Sequence, residues 1–147
     1  MLNSIGDEII QQTNGYHLFR NSANGKISAL LFNYPAEVES SVPFSKGSRD
    51  IAEKTLTTGK IRNFTVDITD LPTNARFNIE ILDADHGFAL RDWQKMGSPE
   101  PPNREETKFL QDKALDTLKK QLTSDSTGTL HWDVRLSPWS VVLLVQV

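Results

Sequence analysis

Alternation of apolar and polar residues marks most of the strands that the sequence predicts. Segments 16–20 and 27–34 are the first two strands, and the Asn and Gly residues of 21–25 tolerate the positive φ angles of a hairpin turn. The apolar positions of the second strand are Ile27, Ala29 and Leu31 on one face and Leu30 and Phe32 on the other. A strand that is apolar on both faces is typical of the centre of a sheet, so the pattern predicts a sizeable core.

A second hairpin is predicted from the next pair of alternating segments, 64–68 and 77–81, with the turn at 71–74. Segment 35–60, which precedes it, is polar and irregular and contains Pro and Gly residues. We expect a long loop there, with room for one edge strand.

A short helix and a Pro-rich segment are predicted after the strand at 77–81. The helix carries Leu90, Trp93 and Met96 and is expected to end at Gly97, because glycine adopts the positive φ of a helix C-terminus. Segment 98–102, with the sequence SPEPP, then holds the backbone extended.

A second helix is predicted to begin after Asn103, which can cap it together with Glu106 at the third helical position. Its apolar residues recur at spacings of three and four, and they are Phe109, Leu110, Ala114, Leu115, Leu118 and Leu122. This stripe must pack on another surface. Together with the short helix it predicts a helical insertion over about residues 86–122.

Two further strands are predicted at 130–136, where apolar and polar residues alternate, and at 141–147, which is apolar on both faces. Residues 137–140 form the turn between them. Strands at both ends of the chain indicate a mainly β protein. We predict a single domain over residues 1–147, an antiparallel β-sandwich with the helical insertion before the last two strands.

Composition excludes several classes of function. The 147 residues include 16 Lys and Arg and 19 Asp and Glu, a net charge of -3, and the basic residues do not cluster. This balance argues against a nucleic acid partner and against an anionic membrane surface. The chain has no cysteine, so disulfides, thiolate metal sites and cysteine nucleophiles are excluded.

Possible metal ligands occur together at Asp83, Asp85 and His86. Acidic residues between a strand and a helix more often cap backbone N–H groups, and we favour that interpretation. We therefore predict no metal site and no cofactor.

The sequence shows no active site. A retaining glycoside hydrolase needs two carboxylates about 5 Å apart. The available acidic residues are Glu37, Glu39, Asp67, Glu80, Asp83, Asp85 and Asp92. Asp67 and Glu80 fall on the polar faces of alternating strands, where a solvated surface is expected. There is also no nucleophile motif and no glycine-rich phosphate loop.

The three tryptophans raise the alternative of sugar binding, since exposed indoles stack on sugar rings. Trp132 lies on the apolar face of its strand and is expected in the core. Trp139, in a turn beside a proline, is the better stacking candidate, and Trp93 is the other.

Short motifs along the chain resemble the C-terminal region of family 39 glycoside hydrolases, which are β-xylosidases and relatives of α-L-iduronidase. The motifs are residues 2–8 (LNSIGDE), 25–34 (GKISALLFNY), 85–87 (DHG), 93–102 (WQKMGSPEPP) and 136–144 (LSPWSVVLL). The resemblance spans nearly the whole chain.

The resemblance implies that both catalytic glutamates of a parent enzyme lie on a (β/α)8 barrel that precedes this region. A barrel of about 250 residues does not fit in this chain, so no catalytic residue is carried over. The resemblance predicts a non-catalytic accessory domain whose partner is the barrel of the same polypeptide. Docking residues would be Trp93, Met96, Pro99 and Pro102, and xylo-oligosaccharide remains the alternative ligand. The location of the parent stays open, with the cytoplasm slightly favoured.

Overall fold

A computed structural model describes residues 5–35 and 56–147. In chain order the elements are β1 (Glu8–Thr13), β2 (Tyr16–Arg20), β3 (Ile27–Asn33), β4 (Arg62–Ile68), β5 (Arg76–Leu82), α1 (Leu90–Lys95), α2 (Arg104–Leu115), β6 (Leu118–Thr123), β7 (Leu130–Leu136) and β8 (Ser140–Gln146). None of the helices in this part of the chain is long and apolar enough to cross a membrane.

The strands form two antiparallel sheets. One has six strands in the order β1-β2-β3-β8-β5-β6, and the other consists of β4 and β7. The predicted mainly β fold, a sandwich with a helical insertion, is confirmed. The β2–β3 hairpin is confirmed as well, and β3 lies inside the sheet between β2 and β8.

The core lies between the two sheets. Its largest fully buried side chains are Phe77, Leu31, Ile79, Leu144 and Val142. Burial of each such side chain contributes about 1.5–3 kcal/mol to folding. Trp132 packs against this core from β7, which confirms that it is not an exposed platform.

The predicted second hairpin is wrong, because β4 and β5 belong to different sheets. Strand β4 pairs with β7, where Val66 lies opposite Trp132, and β5 pairs with β6 and β8. The pairing that buries the apolar face of β4 is therefore between segments far apart in sequence, which local alternation does not reveal.

The predicted length of the second helix is also wrong. Helix α2 ends at Leu115, and Leu118 and Leu122 lie in strand β6, opposite Ile81 and Phe77 of β5. A spacing of four residues fits one face of a helix and one face of a strand equally well. Three strands, β6, β7 and β8, therefore follow the helices instead of the predicted two.

Two other segments differ from expectation or lie outside the described residues. Strand β1 was not predicted; all six of its residues are exposed, so burial imposes no alternation on them. The predicted loop at 35–60, including Glu37 and Glu39, lies outside the described residues apart from its two ends.

Each sheet has a face turned away from the core, and the two faces differ. The outer face is the face of the six-stranded sheet that is turned away from the core. The opposite face is the corresponding face of the sheet formed by β4 and β7. The opposite face carries polar residues such as Thr65, Asp67, His131, Asp133 and Arg135. The central strands of the outer face carry apolar residues, which are Leu30, Phe32, Val141, Leu143 and Val145.

Candidate functional site

The segment between β5 and β6, residues 83–117, contains helices α1 and α2, and we call it the helical arm. It begins with a turn built on Asp83, whose Oδ1 accepts hydrogen bonds from the backbone N–H groups of Asp85 and His86, each at 2.9 Å. The same oxygen lies 2.9 Å from Nδ1 of His86, while Asp85 pairs with Arg91. Asp83 thus caps backbone N–H groups, as expected for an acidic residue between a strand and a helix.

Trp93 joins α1 to the Pro-rich segment. Its indole N–H donates to the backbone carbonyl of Pro99 at 3.0 Å, and its own carbonyl accepts from the backbone N–H of Ser98 at 3.0 Å. Gly97 and Ser98 both have positive φ angles, 85° and 55°, which turn the chain sharply after the helix. Trp93 therefore holds the arm in a defined shape.

The second helix starts with the predicted capping box. The side chain of Asn103 accepts from the backbone N–H groups of Glu105 and Glu106 at 2.9 Å, and the Glu106 carboxylate accepts from the backbone N–H of Asn103 at 2.7 Å. Such a box stabilises a helix start by about 1 kcal/mol. It fixes where α2 leaves the Pro-rich segment.

The arm buries little of its own apolar surface. Neither helix has a buried residue. Phe88, Phe109 and Leu115 are 38%, 43% and 77% exposed. Of the four predicted docking residues, Trp93, Met96 and Pro99 are half-buried and Pro102 is exposed.

The other predicted aromatic residue, Trp139, lies in the turn between β7 and β8. Its ring meets Tyr34 edge to face at a centroid distance of 5.0 Å, and its backbone N–H donates to the Asn33 carbonyl at 2.8 Å. Trp139 is half-buried, while Tyr34 is 49% exposed. Its φ of 64° is strained for a bulky residue.

Strand register places the arm and this aromatic pair at the same end of the sandwich. Leu82, the last residue of β5, lies opposite Val141 of β8, which lies opposite Phe32 of β3. The arm therefore leaves β5 where β3 ends and β8 begins. Adjacent strands are about 4.8 Å apart, so the two features start about 10 Å from each other.

A polar cluster on the opposite face was missed from sequence. Nδ1 of His131 lies 2.6 Å from Asp67 Oδ1, and its Nε2 lies 3.5 Å from Asp133 Oδ2. Thr65 Oγ1 donates to Asp133 at 2.6 Å. The hydrogen bond and charge of Asp67 raise the pKa of His131 above 6.5, and the Thr65 hydrogen bond lowers the pKa of Asp133. Only the β4–β7 register, which puts Asp67 opposite His131, reveals this cluster.

The described candidate catalytic carboxylates lie in three parts of the fold, with Asp83, Asp85 and Asp92 together in the helical arm. Asp67 is on the opposite face, Glu80 on the outer face accepts from Thr117 Oγ1 at 2.6 Å, and Asp83 forms the first turn of the arm. Within residues 5–35 and 56–147, no group of three or more His, Asp or Glu side chains is placed to hold a metal ion.

No protein-family model matches the sequence, and no curated protein matches it. Solved structures do. A GH39 enzyme from Xanthomonas axonopodis pv. citri matches 99% of this chain with a TM-score of 0.68 and 11% identity. A monomeric β-xylosidase from Caulobacter crescentus CB15 matches 99% with a TM-score of 0.59 and 16% identity. A bacterial orthologue of human α-L-iduronidase matches 98% with a TM-score of 0.60 and 12% identity.

These matches are partial with respect to the solved chains. This chain spans 28% of the Xanthomonas and Caulobacter CB15 chains and 25% of the iduronidase orthologue. At such low identity the likeness establishes the fold alone. The chain thus has the fold of about a quarter of these glycoside hydrolase chains.

Proposed function

We propose that this chain is a non-catalytic accessory domain of a larger glycoside hydrolase and that it supports a catalytic (β/α)8 barrel in the same polypeptide. The observation that carries the proposal is the partial match: almost all of this chain superposes on only a quarter of each hydrolase chain. The remaining three quarters of such a chain leave ample length for a barrel of about 250 residues.

The hydrogen bonding of the described carboxylates supports a non-catalytic role. A retaining mechanism needs two carboxyl groups about 5 Å apart across a sugar. Asp67 is engaged by His131, Glu80 by Thr117, and Asp83 by backbone N–H groups of the first turn of the arm. We infer that hydrolysis takes place on the barrel.

The proposed docking element is the helical arm. The Trp93–Pro99 hydrogen bond and the Asn103 capping box fix its shape, while Phe109 and Leu115 remain exposed. A preorganised surface with uncovered apolar side chains loses little conformational entropy on association. Docking of Trp93, Met96, Pro99 and Pro102 with their exposed neighbours would set the orientation of the two domains.

For the parent enzyme we propose release of terminal xylose from short β-1,4-linked xylo-oligosaccharides by a retaining mechanism that uses two glutamates of the barrel. Two of the matched structures are described as β-xylosidases. Substrate contacts would come mainly from barrel loops.

Activity assays on two forms of the protein test the non-catalytic role. The isolated 147-residue chain should not hydrolyse an aryl β-xyloside, whereas the complete polypeptide encoded by its gene should. Hydrolysis by the isolated chain would refute the proposal, as would a gene that encodes no barrel.

Substitutions in the complete polypeptide test the docking role of the arm. Trp93→Ala and Met96→Ala, and the exposed-site variant Leu115→Ser, should lower the melting temperature of the complete polypeptide. Leu115→Ser should leave the isolated chain unchanged, because that side chain is 77% exposed. Ile10→Ala, at a 41% exposed apolar residue of β1, is the matched control. Equal melting of Leu115→Ser and wild-type polypeptides would refute docking through this part of the arm.

Carbohydrate binding at the aromatic pair is a second candidate function. Tyr34 offers a half-exposed ring beside Trp139, and aromatic faces pack on the apolar faces of sugars. Titration of the isolated chain with xylo-oligosaccharides, followed by tryptophan fluorescence, would then give a saturable change that Tyr34→Ala removes. An accessory domain that only supports the barrel should give no saturable change.

A further inference from the structure

Two Asn–Gly pairs occur in turns of the six-stranded sheet. Asn14 and Gly15 connect β1 to β2, and Asn24 and Gly25 lie between β2 and β3. Both asparagines are exposed. In such a pair the backbone nitrogen of the glycine can attack the side-chain amide of the asparagine, because glycine has no side chain to block the approach. Both pairs can therefore deamidate, and the fold gives them different surroundings.

Hydrogen bonds hold the second pair. The N–H of Gly25 donates to the backbone carbonyl of Asn21 at 2.8 Å, and Oδ1 of Asn24 accepts from the backbone N–H of Lys26 at 2.9 Å. An N–H group that donates a hydrogen bond gives up its proton less readily, because the acceptor stabilises the protonated form. The nitrogen of Gly25 is therefore kept in its unreactive state.

The first pair has the opposite arrangement. Within residues 5–35 and 56–147, the N–H of Gly15 donates no hydrogen bond. The backbone carbonyl of Asn14 accepts from Nη2 of Arg62 at 2.6 Å. This carbonyl and the Gly15 nitrogen belong to the same peptide bond. A cation therefore bonds to the amide that must lose its proton.

The guanidinium of Arg62 favours the reactive form of this amide. When the Gly15 nitrogen loses its proton, amide resonance shares the negative charge with the carbonyl oxygen of Asn14. A charged donor that already points at this oxygen stabilises the charge as it develops.

The position of the guanidinium is fixed by the fold. Arg62 begins β4, in the other sheet, and its Cζ lies 5.0 Å from the centroid of the Phe64 ring. A Cβ on Gly15 would lie 2.5 Å from Nη2 and 2.6 Å from Nη1. The contact thus joins residues that are distant in sequence, and it is lost when the chain unfolds.

We propose that Asn14 is a site of intramolecular deamidation that Arg62 activates in the folded protein, whereas the fold protects Asn24. The Gly15 nitrogen gives its proton to hydroxide and bonds to Cγ of Asn14. The bond between Cγ and the side-chain nitrogen breaks, and this nitrogen leaves as ammonia with a proton from water, which regenerates hydroxide. Water then opens the resulting succinimide ring at one of its two carbonyls and leaves aspartate or isoaspartate at position 14.

The isoaspartate product changes the β1–β2 turn. Its chain continues through the former side chain, so the former backbone carbonyl of Asn14 becomes a free carboxylate beside Arg62. The turn gains a negative charge and one backbone carbon. Because the turn sets the register of a hairpin, this change acts on the pairing of β1, the edge strand of the sheet. None of this chemistry depends on whether the chain supports a barrel.

Peptide mapping by mass spectrometry tests the proposal. The 147-residue chain is incubated in mildly alkaline buffer, once folded and once in denaturant, and samples are acidified and digested at intervals. Fragmentation assigns each mass change to one residue. In denaturant the two asparagines should deamidate at similar rates, whereas in the folded chain Asn14 should react several-fold faster than Asn24.

Substitution of the arginine tests its role. Arg62→Gln removes the charge and should slow deamidation of Asn14 several-fold in the folded chain, with no effect in denaturant. Arg62→Lys keeps a cation and should retain more of the wild-type rate. Arg135→Gln, at an exposed arginine of β7, is the matched control and should change neither rate. Circular dichroism shows whether each variant is folded.

Two results would overturn the proposal. Equal rates at the two asparagines in the folded chain, or a faster reaction at Asn24, would show that the fold does not select Asn14. An unchanged rate at Asn14 in the folded Arg62 variants would show that the guanidinium does not activate the amide. If Arg62→Gln does not fold, the comparison of folded and denatured wild type still decides the first point, and Arg62→Lys decides the second.

Discussion

The indole N–H of Trp93 donates a 3.0 Å hydrogen bond to the backbone carbonyl of Pro99, which ties the end of α1 to the Pro-rich segment. Trp93→Phe keeps an aromatic ring but removes the donor. We expect the free energy of unfolding of the isolated chain to fall by about 1 kcal/mol, measured by urea denaturation. Phe109→Leu, at a side chain that is 43% exposed, should change it much less. Equal stability of Trp93→Phe and wild type would show that this bond does not stabilise the arm.

The His131 cluster predicts a dependence of stability on pH. Asp67 raises the pKa of His131 in the folded state above its usual value of 6.5. The stabilisation by this pair is therefore fully present below about pH 6.5 and is lost as the pH rises through the folded-state pKa. The midpoint of urea denaturation, measured from pH 5.5 to 8, should fall with rising pH because the His131–Asp67 interaction is lost. This fall should be smaller in Asp67→Asn.

The same cluster can be followed directly by NMR titration of the His131 imidazole. Asp67→Asn should bring the pKa of His131 back toward 6.5, and Asp133→Asn should have a smaller effect, because Asp67 is the larger cause. A His131 that titrates at its ordinary value in the wild-type chain would contradict this geometry.

Two glycines with similar backbone conformations should respond differently to substitution. Gly128 and Gly25 have φ angles of 76° and 71°, but a Cβ on Gly128 would lie 2.2 Å from the Leu71 carbonyl oxygen, whereas a Cβ on Gly25 meets nothing within 4 Å. Gly25→Ala should lower the free energy of unfolding by about 1–2 kcal/mol, because alanine is strained only by the left-handed backbone conformation. Gly128→Ala should cost clearly more, because the backbone must also move. Equal destabilisation in thermal melts would argue against the Leu71 contact.

A buried amide links the two sheets. Asn33, 3% exposed, donates from Nδ2 to the backbone carbonyls of Leu136 and Lys60 at 3.0 Å and 2.9 Å. Asn33→Ala would leave these carbonyls without that donor and should destabilise the isolated chain by about 1–3 kcal/mol in urea denaturation.

The matched control for Asn33 is Asn78→Ala. Asn78 is an exposed amide that accepts from the side chain of Gln121 at 2.8 Å. Its replacement should change stability by less than about 0.5 kcal/mol. Similar losses for the two variants would mean that the bridge between the sheets adds nothing beyond an ordinary surface contact.

The elements that depend on local signals were predictable from sequence. The β2–β3 hairpin has a turn rich in Asn and Gly, and α2 begins at a capping box, so neighbouring residues suffice for both. The pairing of β4 with β7 was not predictable, because the segments that bury the apolar face of β4 lie more than sixty residues away. The predicted boundary between α2 and β6 was wrong, because the four-residue spacing of Leu118 and Leu122 fits both the period of a helix and that of a strand.

The surfaces proposed here were predictable to different degrees. Trp93 and Trp139 stand out by residue type and position, but only the strand register shows that they share one end of the sandwich. The apolar runs of β3 and β8 were visible in the sequence and indicated central strands. That one side of these runs faces away from the core follows only from the arrangement of the sheets.

The position of β8 has a consequence for the order in which the protein assembles. Strand β8 is the last strand of the described chain, yet it separates β3 from β5 and pairs with both. During synthesis, the β1–β3 and β5–β6 units can pair internally, but they cannot join into one sheet until β8 has left the ribosome. Until then the inner edges of β3 and β5 are unpaired and open to incorrect strand pairing. This sheet is thus most open to incorrect strand pairing in the nascent chain just before β8 emerges.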